Sequence, residues 1–68
     1  MKQIIKSHHD VITVPEAMKA LMSDYSKIGY QIERITLINF NIIFPDGWVH
    51  VFWENGAIYQ EICDNEVN

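Results

Sequence analysis

Between Tyr30 and Ile62 the chain is so densely apolar that alternation along it does not separate a wet face from a dry one. Three strand-like runs are divided there by two turn signals, Phe44-Pro45-Asp46-Gly47-Trp48 and Glu54-Asn55-Gly56-Ala57. The Asn-Gly pair suits both positive-φ positions of a type I′ turn, whose twist matches a two-residue hairpin. Closing on Glu54 and Ala57 sets Trp53 opposite Ile58, Phe52 opposite Tyr59, Val51 opposite Gln60, His50 opposite Glu61 and Val49 opposite Ile62. Upstream, proline at the second turn position, aspartate next and then glycine read as a three-residue loop with a glycine bulge. That loop would pair Phe44 with Trp48, Ile42 with His50 and Phe40 with Phe52.

Side chains alternate across a strand, so this register predicts two surfaces. One carries Phe40, Ile42, Phe44, Trp48, His50, Phe52, Tyr59 and Glu61, and the helix is expected to cover it. The other carries Asn39, Asn41, Ile43, Val49, Val51, Trp53, Ile58, Gln60 and Ile62. A slip of one residue would exchange members between them, particularly before Phe40.

The helix is expected from about Val14 to Ile28. Thr13-Val14-Pro15-Glu16 resembles a capping box with proline in the first turn, where its missing N–H costs nothing. Gly29 supplies the stop. Val14, Met18, Leu21, Met22, Tyr25 and Ile28 recur at helical spacing, with most charged and hydroxyl residues away from that stripe. Before the helix, Lys2 to Lys6 would form a short edge strand centred on Ile4 and Ile5. Tyr30 to Leu37 would feed a long, bent first strand of the meander. The expected fold is α+β in two layers, one helix packed on a small antiparallel sheet in the order β-α-β-β-β. All 68 residues form one domain, with a polar tail at 64–68 expected to fray.

Composition narrows the classes. Residues are 49% hydrophobic and 21% charged, too apolar for intrinsic disorder. No apolar run reaches the roughly 18 residues of a membrane span, and the start does not read as a signal peptide. A cytoplasmic location is the default expectation, and the single cysteine, Cys63, allows no disulfide within the chain. Net charge is −4 with the five basic residues dispersed, which argues against a nucleic-acid binder.

The candidate chemistry is thin. His8-His9-Asp10 lacks the further ligands of a tetrahedral metal set, so no metal or other cofactor is expected. His50 opposite Glu61 would be a general base and its orienting carboxylate, or an ordinary cross-strand contact, which is the preferred reading. Cys63 reads as a small edge hydrophobe. Trp48 and Trp53, with Tyr59 and Phe52, have the faces to stack bases but no basic groove beside them.

The helix ending in Lys27-Ile28-Gly29-Tyr30, followed by strands with a Pro-Asp-Gly turn, resembles the helix and three strands of the HicA-type mRNA interferase toxins. That resemblance, over about 30 residues, implies a small ribonuclease with a strand histidine and a basic RNA surface. The corresponding stretch, Ile35 to Phe44, holds no histidine; His50 comes a strand later, and the chain is acidic. In size and element order the chain is also similar to small phage inhibitors, some anti-CRISPR proteins among them.

Taken together, these features point to a non-catalytic protein-interaction domain, self-associating as a homodimer or inhibiting a host complex on behalf of a phage or mobile element. Its expected contact surface is Ile43, Val49, Val51, Trp53, Ile58 and Ile62. About five large side chains left bare would forfeit roughly 1.5 to 3 kcal/mol each. A small domain has only about 5 to 15 kcal/mol of net stability, so a partner is expected to cover them. The alternative is a HicA-like ribonuclease using His50 with Glu61.

Overall fold

The computed structural model describes residues 1–64. One α-helix, α1 (Val14–Lys27), packs on a five-stranded antiparallel sheet. The strands are β1 (Lys2–Ser7), β2 (Gln31–Thr36), β3 (Asn39–Phe44), β4 (Gly47–Glu54) and β5 (Ala57–Asp64), in the spatial order β1-β5-β4-β3-β2. The two-layer α+β class holds, and the first strand is present at the edge beside β5. Asp64 ends the last strand; the rest of the expected frayed tail lies outside the described residues.

The meander has four strands where three are expected. Residues 30–37 do not run on into β3 as one bent strand, because Leu37 and Ile38 turn and bring Thr36 opposite Asn39. The Thr36 hydroxyl accepts from the Ile38 amide at 3.2 Å, a local side-chain bond that takes the place of glycine or proline chemistry. Leucine and isoleucine carry no turn signal, which hides this reversal from the pattern.

The β4–β5 register is the expected one throughout, from Trp53↔Ile58 to Val49↔Ile62. Asn55 has φ 47° and Gly56 φ 86°, both positive as the type I′ turn requires. The β3–β4 register is shifted by one. Its loop is two residues, Pro45 and Asp46, closed by Phe44↔Gly47, so that Ile42 faces Val49 and Phe40 faces Val51. Gly47 is not the left-handed residue of a bulge. At φ 159° it is nearly extended, the first residue of β4, backed against β5 so closely that a β-carbon would run into the Cys63 carbonyl and stand 3.0 Å from the Asp64 Cα. Glycine is needed there for room.

The shift moves Phe40 and Ile42 to the same side as Val51 and Ile58, under the helix. With Val14 and Met18 they form the buried core; Phe40, Val51 and Ile58 are fully buried. Leu21, Met22 and Tyr25 continue the helix stripe onto its margin, and Ile32, Phe44, Val49 and Trp53 complete it from the sheet. The helix has the expected position, but its capping box does not form. Thr13 makes no side-chain cap bond, and its hydroxyl donates instead to the Asp10 carbonyl at 3.2 Å. Asp10 organises the preceding 3₁₀ turn, accepting from the Ile12 amide at 3.0 Å.

Two outcomes test this packing. Phe40→Ala removes the largest fully buried side chain and is expected to cost about 3 to 5 kcal/mol, most of a small domain's stability, measured by urea unfolding. Gly47→Ala, otherwise among the mildest of changes, should cost about 1 to 3 kcal/mol by forcing β4 off β5; an unchanged urea midpoint would refute the close approach.

Candidate docking face

The two-residue turn decides which side of the sheet stays open. Of the six residues expected to form the contact surface, Val49, Val51, Trp53, Ile58 and Ile62 share the helix side, and Ile43 alone points the other way. Val51 and Ile58 are core, while Val49 and Trp53 pack against it half-buried. Ile62, 65% exposed, lies opposite Val49 at the end of β5. These six do not form one free face. The other expected surface breaks up likewise, with Phe40, Ile42 and Phe44 going to the helix side and Trp48, His50, Phe52 and Tyr59 staying off it.

Trp53 has a structural post that the pattern did not reveal. Its indole Nε1–H donates to the His8 carbonyl at 2.8 Å, and the His8 amide donates to the Gly56 carbonyl at 2.8 Å. The His8 ring meets the Thr13 hydroxyl at 2.8 Å through Nε2. Because the Thr13 proton goes to Asp10, the ring nitrogen serves as the donor. His9 lies against the β4–β5 turn, where a β-carbon on Gly56 would stand 2.8 Å from its Nδ1. His8 and His9 therefore staple the β1–α1 connection to the last hairpin, while Asp10 bonds only within the connection. Among the described residues no three His, Cys, Asp or Glu side chains gather as a metal-sized set.

The side without the helix is built around the central strand. Along β4, Trp48, His50 and Phe52 project from it in succession, and Tyr59 stands beside Phe52 on β5. His50 stacks on Phe52 at 5.0 Å between ring centroids, and Phe52 on Tyr59 at 5.6 Å, both pairs within 30° of parallel. Trp48 is flanked by Ile43 on β3 and Cys63 on β5. A solvated face of an antiparallel sheet ordinarily reads polar at these positions. Asn39 and Asn41, facing Phe52 and His50 from β3, have side-chain oxygens shut off from solvent with no hydrogen-bond partner among the described residues.

The rim is charged. Lys2, on β1, reaches over the Tyr59 ring at 4.6 Å to the Glu54 carboxylate at 2.7 Å, and that bond raises its pKa above the ordinary lysine value. Both partners are about half exposed, so the pair adds little to stability. Glu61 sits 3.8 Å from the terminal amine of Met1. His50 and Glu61 are cross-strand neighbours, as expected, but no hydrogen bond joins them among the described residues; His50 is spent on stacking and Glu61 on the terminus. The geometry shows a strand-pair contact rather than an oriented acid-base dyad.

No family model matches the chain, and no curated protein or solved structure matches it either. Among the described residues no helix is long and apolar enough to cross a membrane.

The staple yields its own test. Trp53→Phe keeps the ring against the core and deletes the bond to His8, leaving a part-buried carbonyl unpaired. The expected loss is about 1 to 3 kcal/mol, with amide exchange at His8 and through β1 rising more than in β3. Equal acceleration everywhere would show that the bond is not what holds β1.

Proposed function

We propose that this chain is a small, non-catalytic protein-binding domain whose docking surface is the helix-free side of its sheet. The observation that supports the reading is the aromatic run on the central strand, Trp48, His50 and Phe52 with Tyr59 alongside, on the side of the sheet opposite the helix, where no other element packs among the described residues. Aromatic side chains anchor protein interfaces because they bury large area with few rotamers to freeze. A contiguous apolar surface ringed by charge is the anatomy of a standard interface, with Lys2, Glu54 and Glu61 at the rim setting orientation. Acid-base chemistry has less support, since His50 and Glu61 are engaged with other groups. A protein partner would take these rings out of water.

The test compares two sides of one molecule. Trp48→Ser and Phe52→Ser should leave the circular dichroism spectrum and fold intact while weakening self-association or capture of a protein partner. The expected loss is about 2 kcal/mol or more, roughly thirtyfold in Kd. Ile62→Ser, at an exposed position on the helix side, should leave association unchanged. Folded Trp48 and Phe52 variants that associate as before, measured by sizing and pull-down, would remove the helix-free side from consideration.

A further inference from the structure

The helix-free side has a transverse polarity that selects one occupant. Strand register aligns residues in rows across all five strands, and β4 is the middle one. One row runs Lys2, Glu61, His50, Asn41, Glu33; the next runs Ile4, Tyr59, Phe52, Asn39, Thr36. Each has its aromatic or imidazole ring at the centre, and the first has a cation at the β1 end and an anion at the β2 end. A two-fold axis laid along β4 exchanges β1 with β2 and β5 with β3 while keeping every row at its own level. Rotating a second copy about that axis sets Lys2 over the partner's Glu33, Glu61 over the partner's Asn41 and Tyr59 over the partner's Asn39. Among the described residues the Oδ1 atoms of Asn39 and Asn41 have no partner within the chain; a Tyr59 hydroxyl can donate to such an oxygen, whereas the Glu61 carboxylate pairs only with the Asn41 Nδ2–H. The rings on β4 meet their own equivalents at the axis, as an isologous interface requires.

Resting on the reading of this side as a docking surface, we propose that its occupant is a second copy of this chain, packed face to face about an axis along β4. The two sheets form a sandwich with the helices outside. Aligned sheets pack about 10 Å apart and cross at about 30°, so the match is closest at the centre and long side chains span the difference at the edges. Five strands about 4.8 Å apart and six residues of about 3.3 Å give roughly 500 Å² per copy, near the roughly 1,000 Å² total that a specific interface needs. Glu54 opposes the arrangement. It lies on β4 beside its own equivalent, and in the single chain it holds Lys2.

The full-length chain, followed by sedimentation equilibrium over a dilution series, decides the matter. Wild type should be a dimer in the micromolar range. Lys2→Glu and Glu33→Lys should each weaken it at least about tenfold, since each reversal spoils two symmetric pairs. The double variant, with both charges exchanged, should return to within about threefold of wild type. Glu54→Gln should strengthen the dimer by freeing Lys2 and removing two like charges near the axis. A monomer at millimolar concentration, a dimer indifferent to both reversals, or a double reversal that stays weak overturns the proposal. A monomer that still captures another protein through Trp48 and Phe52 overturns the dimer alone and leaves the docking surface standing; loss of both capture and dimer removes both.

Discussion

The number of residues between Phe44 and Gly47 governs everything else in this sheet. Two residues put Phe40 and Ile42 on the side of Val51 and Ile58, where one helix closes over them with Val14 and Met18. A third residue would turn β3 over, sending both into the open and bringing Asn39 and Asn41 under the helix. Two amides without partners in a core this small would cost several kcal/mol, comparable to the domain's whole margin. The tight Pro45-Asp46 turn is therefore a condition of having a core, and Gly47 is what lets the strand begin immediately after it.

Local chemistry made part of this legible. The Asn55-Gly56 turn dictates its own geometry through positive φ, so the β4–β5 register followed from two residues. The amphipathic stripe of α1 and the stop near Gly29 were equally readable, because helical periodicity is repeated over four turns. Pro45-Asp46-Gly47 misled for a specific reason. Glycine serves both left-handed backbone and close approach, and only the position of β5, supplied from elsewhere in the chain, distinguishes the two. Leu37-Ile38 was hidden because its turn depends on the Thr36 hydroxyl rather than on a breaker residue. The capping box failed because Thr13 had a competing carbonyl at Asp10 and a competing ring at His8.

The candidate site inherits both results. That large side chains would stand on both sides of the sheet was readable from composition and alternation alone, since one helix cannot cover two sides. Which residues stand on which side depended on parity, and so exchanged with the one turn that misled. Trp53 shows the point most sharply: its aromatic area suggested an anchor for a partner, whereas its indole N–H is committed to the chain's own His8 carbonyl. The two sheet edges also differ. β1 is irregular between Ile4 and Lys6 and carries two lysines, features that discourage further strand pairing, while β2 has no lysine.

The odd spacing between the two tryptophans places them on opposite sides of β4, Trp48 half-buried on the helix-free side and Trp53 half-buried against the core. Their fluorescence therefore divides by location. The emission of Trp53 reports on the core side of the sheet, and that of Trp48 on the helix-free side. Removing either one leaves a single-colour optical gauge, so the two sides of the sheet can be read separately from the same small protein without attaching a dye.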